Sequence, residues 1–170
     1  MEEYKKNQLQ EASKWGLILG ITIFALNLAG SAFGAAIAIL CSVLQIFAIY
    51  VINMNIGRKM RTLKEMYTFG DSMKTILLTM VFSGIIVGAG EFLVKLNSID
   101  YFDKVFELQL ERFKNNPDYI QILEENRGMM ERIMGNPITM VIIGIINMVI
   151  FGGVIGLVNS AYLRNDRQIK

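Results

Sequence analysis

Glu91 is the one acidic side chain inside the long apolar runs of this 170-residue chain. Its run extends from Thr75 to Leu96, and Gly84, Gly88, Glu91 and Lys95 share one face of it if it is a helix. The glycines would let a second helix come close. Glu91 and Lys95 stand at a spacing that neutralises the pair. An ionisable group inside a membrane span is a candidate for function, and a proton-coupled transporter places a carboxylate in such a position. A plainer use competes with that one. Glu91 is five residues from the end of its run, about 8 Å at helical rise, where its side chain can reach the interface at small cost. The Gly84, Gly88, Glu91, Lys95 face is the candidate helix-contact or functional face.

Five amides lie in the apolar runs and define a candidate intramembrane polar network: Asn27, Gln45, Asn53, Asn147 and Asn159. A buried amide in hydrocarbon is costly unless it is hydrogen-bonded, so residues at equal depth should meet. Gln45 and Asn147 both lie near the middle of their runs, Asn53 and Asn159 near one end, and Asn27 and Glu91 near the other. Each bond is worth about 0.6–2 kcal/mol, enough to fix helix register.

Other chemistry is thin. The chain has no histidine, which removes the commonest general base and metal ligand. Its single cysteine, Cys41, sits in an apolar run and reads as a small apolar residue. The eight acids between residues 97 and 136 (Asp100, Asp103, Glu107, Glu111, Asp118, Glu124, Glu125 and Glu131) have the spacing of the wet face of amphipathic helices rather than of a catalytic set. No nucleophile–base pair, metal-ligand set or phosphate loop is visible. The expectation is a non-enzyme with no catalytic residues, no cofactor and no metal. A net charge of only +2 gives no reason to expect a nucleic-acid partner.

These residues need elements to hold them. Hydrophobic residues make up 53% of the chain, and several runs approach the roughly 20 residues that span a bilayer. Trp15 to Met54 would be about 60 Å long as one helix, twice the hydrocarbon thickness, so it must fold back between Asn27 and Gly34. The predicted helices cover about 15–32, 35–55, 73–96 and 137–163. The first is expected to be a retained span rather than a cleaved signal peptide, since no clean small-x-small site follows it. Asp71 or Ser72 is the expected cap of the third, after Gly70. Asn136-Pro137 opens the fourth, and Asn116-Pro117 opens a helix within 97–136. Phe102, Val105, Phe106, Leu110 and Phe113 repeat at helical spacing there, followed by Tyr119, Ile122, Leu123, Met130, Ile133 and Met134. The expectation for 97–136 is an amphipathic helical hairpin.

Lysine and arginine set the orientation. Three precede the first span, five lie in the 55–74 loop and three follow the last span, whereas the five in 97–136 are outnumbered by eight acids. Both termini and the 55–74 loop are therefore expected on the cytoplasmic side, with the hairpin extracytoplasmic. Glycine pairs four apart recur at Gly16/Gly20, Gly30/Gly34, Gly84/Gly88 and Gly152/Gly156. Internal helix packing is their plainer use, and contact with another membrane protein or a second copy is the other.

The segment Tyr67-Thr68-Phe69-Gly70-Asp71-Ser72-Met73-Lys74, the Asn136-Pro137 opening, and the ending Gly152…Gly156-Leu157…Ser160…Arg164 resemble an uncharacterised four-helix membrane family of Bacteroidetes bacteria, domain of unknown function 4199. The resemblance spans nearly the whole chain. It implies the inner membrane of a bacterium and, by association with lipid-linked-sugar glycosyltransferases, a role in the cell envelope. It implies no activity and no site residues. The sequence thus predicts an all-α integral membrane protein of four transmembrane helices, with an extracytoplasmic amphipathic hairpin between helices three and four. The expected function is a non-enzymatic inner-membrane scaffold or accessory subunit, with cell-envelope glycoconjugate assembly as the setting that the resemblance implies. The alternative is a small oligomeric transporter or lipid-carrier flippase using Glu91.

Overall fold

The computed structural model describes residues 2–33, 35–64, 66–96 and 101–164, and every described element is an α-helix. Four helices are long and apolar enough to cross a membrane: α1 (Glu2–Phe33), α2 (Ala35–Thr62), α3 (Phe69–Leu96) and α7 (Pro137–Leu163). Three short ones lie between α3 and α7: α4 (Tyr101–Arg112), α5 (Pro117–Glu125) and α6 (Arg127–Gly135). Gly34 at the first turn, Asp100, and the basic residues Arg167 and Lys170 fall outside the described residues.

The long helices run up, down, up and down. Gln8 touches Thr75 and Asn27 touches Glu91, so α1 and α3 are parallel. Gly88 faces Met140 and Gly156 faces Ile76, so α3 and α7 are antiparallel. Lys59 meets Glu11 at one end of α1 and α2, and Gln45 meets Asn27 nearer the other. Both described chain ends and the 63–68 loop therefore share one end of the bundle, called the termini end below. The α1–α2 turn and α4–α6 share the far end.

α3 is central, packed between α1 and α7. Leu19, Ile23, Ile49, Ile76, Met80 and Met148 form the main core. A second core at the termini end is built from Ala12, Met54, Ile56, Met60, Tyr67 and Leu163. Large apolar side chains cover the outside, among them Ile39, Phe47, Ile138 and Phe151, each more than 60% exposed. An outward surface of that kind suits lipid and would be a liability in water.

Three of the spans extend beyond the apolar runs that announced them. α1 starts at Glu2 because its polar first turns bury Gln8 and Ala12 against the second core. α2 continues to Thr62 because Ile56 and Met60 are fully buried there. α3 starts at Phe69, a turn before the expected cap. Thr68 is the cap: its hydroxyl accepts from the Asp71 N–H at 3.2 Å, and the Asp71 carboxylate accepts from the Thr68 N–H at 3.0 Å. This reciprocal pair is a capping box with Asp71 in the third helical position. The side-chain oxygen of Asn136 accepts from the Ile138 and Thr139 N–H groups, and that of Asn116 from the Tyr119 N–H, each with proline opening the helix as expected.

Residues 101–135 are three helices rather than two, because the second amphipathic stretch divides at Asn126. The Asn126 amide donates to the Ile122 carbonyl and closes α5 where Gly128, a poor helix former, follows. Phe106 and Leu123 are buried against each other, with Leu110 and Met130 beside them. The described acids of the segment are all exposed, as their helical spacing implies.

Candidate functional site

The glycine face of α3 is consumed inside the bundle. A Cβ on Gly84 would stand 2.7 Å from the Gly144 carbonyl oxygen, and one on Gly88 2.7 Å from the Val141 Cα. A Cβ on Gly144 would in turn stand 2.8 Å from Gly88 Cα. Backbone thus meets backbone where α3 crosses α7, which only glycines on both helices allow. Gly144 was missed in the sequence because its partners lie on another helix rather than four residues away. Gly16, Gly20, Gly152 and Gly156 likewise pack inward, against α3.

Glu91 leaves that contact and turns to α1. The Asn27 amide donates to the Glu91 carboxylate at 3.2 Å, and the Gln45 amide donates to the Asn27 carbonyl at 2.7 Å. Three helices are joined by a directional chain, Gln45 to Asn27 to Glu91. Asn27 uses its acceptor and its donor in series, so the carboxylate ends the relay as its acceptor. The chain borders a cavity of about 230 Å³ between α1 and α2, lined by Asn27, Ser31, Cys41, Ser42 and Gln45 among others.

Glu91 and Lys95 do not pair. The ion pairs among the described residues are Lys59–Glu11, Lys64–Asp71 and Arg127–Asp103. The Lys95 ammonium instead lies 3.7 Å from where a Cβ on Gly135 would stand, at the C-terminal end of α6, where a helix favours a cation.

The expected pairing of Gln45 with Asn147 is overturned. Gln45 joins the Asn27–Glu91 pair, and Asn147 is exposed on the outside of α7. Equal depth fixes a residue's height and not its direction around the helix. The inward positions of α7 are Met140, Gly144, Met148, Gly152 and Gly156, and Asn147 is one residue off that row. Asn53 and Asn159 are both buried toward the termini end, as expected, but no direct bond links them. The Asn159 amide donates to the Tyr50 carbonyl at 3.2 Å. Both polar atoms of the Asn53 side chain, and the Asn159 carbonyl, have no hydrogen-bond partner among the described residues.

A second polar constellation, which the sequence did not reveal, lies at the termini end. A cleft of about 620 Å³ is lined by Tyr4, Lys5, Gln8, Lys64, Asp71 and Lys74, with Leu63 and Met66 at its edge. Thr75 lies under it. Its hydroxyl accepts from the Gln8 amide at 2.7 Å and donates to the Asp71 carbonyl at 2.9 Å. Lys64 bonds Asp71 at 2.6 Å and lies 5.4 Å from the Tyr4 ring centre. Burial opposes the charge of Asp71, but hydrogen bonds from Lys64 and Thr68 outweigh it and hold the carboxyl below its usual range. Burial pushes the Tyr67 phenol up. Lys5 and Lys74 have no ion-pair partner among the described residues. The only sequence signal for this site was the pattern Thr68-x-x-Asp71.

Among the described residues no group of three or more cysteines or carboxylates is placed to hold a metal. No curated protein and no solved structure matches the chain. The model of the family described as a protein of unknown function, DUF4199, matches residues 14–165. The chain therefore belongs to the DUF4199 family.

Proposed function

We propose that this chain is a non-enzymatic scaffold or accessory subunit of a bacterial inner membrane, with both termini cytoplasmic and α4–α6 outside. The observation that carries the reading is the α4–α6 head. It has its own small core of Phe106 and Leu123, yet it leaves Leu108, Ile122 and Met129 more than 50% exposed among the acids of its surface. Apolar anchors inside a charged rim are what a protein partner buries. The lysine-bearing cleft at the termini end supports the orientation, since such residues favour the cytoplasmic, anionic leaflet. Cell-envelope glycoconjugate assembly is the setting that the family resemblance implies.

The second reading, a small transporter or lipid-carrier flippase, draws on one observation: Glu91 ends a polar relay that borders an open pocket between α1 and α2. Glu91→Gln separates the two. The amide keeps an acceptor for Asn27 and removes the charge, so a scaffold retains its fold and its partner. A transporter loses transport or coupling while remaining folded. Growth and envelope integrity of the host carrying Glu91→Gln, compared with a charge-reversed head (Glu111→Lys with Glu124→Lys), give the readout. A defect confined to the head variant supports the scaffold, and one confined to Glu91→Gln refutes it.

A further inference from the structure

Asn147 is anomalous. It is the eleventh residue of a 27-residue helix, about 15 Å from the helix start, at the middle of a hydrocarbon layer about 30 Å thick. Its amide is exposed and has no hydrogen-bond partner among the described residues. Of the other span amides, Asn27 and Gln45 are bonded and Asn53 and Asn159 are buried. An unpaired amide facing hydrocarbon is unfavourable, since lipid tails offer it nothing.

Its surroundings form a surface. Phe151, Val154 and Val158 follow Asn147 at steps of four, three and four, and all are more than 60% exposed. The four make one outward stripe. Beside the stripe, α2 and α7 leave an apolar groove of about 450 Å³ that includes Phe47 and Tyr50.

We infer that this stripe is the contact between two copies of the chain, with Asn147 bonded to Asn147 at its centre. Two copies inserted the same way are related by a two-fold axis along the membrane normal. That operation returns every residue to its own depth, so Asn147 meets its equivalent without any adjustment of height. A side-chain amide carries both donor and acceptor, so the pair exchanges two N–H···O=C bonds and leaves neither amide facing lipid. An unrelated partner would need a polar group at the same depth, whereas a second copy has one by symmetry. The Gly84/Gly88 face, one of the glycine pairs the sequence offered for contact with a second copy, is occupied by α7. The contact is independent of whatever docks on α4–α6, so either can fail while the other stands.

The test uses the full chain in vesicles of phosphatidylethanolamine and phosphatidylglycerol, with donor and acceptor dyes on separate copies and lipid added to dilute them. Energy transfer should fall along a monomer–dimer curve. Asn147→Leu should weaken association at least tenfold, while Asn147→Gln, which keeps the amide, should weaken it by no more than a few-fold. In a Cys41→Ala background, Val154→Cys should cross-link to itself and stop doing so when Asn147→Leu is added. Because Asn147 is exposed on the outside of α7, circular dichroism should show every variant folded. Equal association of Asn147→Leu and the natural chain, or a natural chain that stays monomeric at the highest density, overturns the inference.

Discussion

Gly84→Ala tests the α3–α7 crossing. The added methyl carbon would stand 2.7 Å from the Gly144 carbonyl oxygen and from the Ile145 nitrogen, and both are backbone atoms. Real Cβ contacts rarely fall below 3.4 Å, so the helices must part by most of an ångström. A gap of 0.5–1 Å forfeits roughly a quarter to a half of each contact, and each is worth about 0.1–0.2 kcal/mol. Roughly twenty atom contacts around the crossing would then lose about 1 kcal/mol, and overpacked cores generally lose about 1–3 kcal/mol. The expected destabilisation is about 1–3 kcal/mol. Gly88→Ala should cost as much, and the double variant less than the sum, because one displacement of α7 relieves both clashes. Gly128→Ala is the control. Nothing lies within 4 Å of a Cβ there, so the better helix former should stabilise α6 by up to about 1 kcal/mol. Reversible unfolding in mixed micelles, followed by Trp15 fluorescence and circular dichroism, measures all four. If Gly84→Ala and Gly88→Ala both fall within about 0.5 kcal/mol of the natural chain, the backbone-on-backbone crossing is wrong.

Asn27→Leu removes the middle of the relay and leaves Gln45 and Glu91 without the bonds it gives them, so it should cost about 1–3 kcal/mol in the same unfolding experiment; Gln45→Leu, at the end of the chain, should cost less. Asn53→Leu should be neutral or stabilising by about 1 kcal/mol, because it replaces two unbonded buried polar atoms by a side chain of similar size; a loss above about 2 kcal/mol would reveal a partner for Asn53. Asp71 should give an acid-side dependence of stability. Its carboxyl titrates lower in the folded chain than the usual value of about 3.9, so its contribution is present above about pH 4 and is lost as pH falls through the folded value. Asp71→Asn should flatten that part of the pH profile, and an unchanged profile would count against the capping box and the Lys64 pair.

The spans were legible because runs of apolar residues report lipid contact directly. The caps at Asn116 and Asn136 were legible because proline marks the residue after them. The start of α3 was read too late, since Thr68-x-x-Asp71 resembles a loop until the two residues are seen to bond each other. Height along the membrane was also legible: Asn27 and Glu91 were matched by depth and do meet. Direction around a helix was not, and Gln45, read as lying at the middle of its run beside Asn147, instead reaches Asn27 nearer the far end. α1 and α3 show the reason. Over their apolar runs both are apolar almost all round, so periodicity scarcely distinguishes the lipid face from the packed face. The cleft at the termini end was illegible for another reason. Tyr4, Gln8, Lys64 and Asp71 are brought together by the parallel packing of α1 against α3, which no spacing along the chain encodes.

The scaffold reading is tested most directly by extracting the chain gently from its native membrane and identifying by mass spectrometry what leaves with it, lipids included. The account predicts a stoichiometric protein partner that is retained by Glu91→Gln and lost when Glu111→Lys and Glu124→Lys reverse charge on the α4–α6 surface. A chain that comes out only with itself, holding a specific lipid or small molecule that Glu91→Gln releases, would contradict it and make the transporter the better description.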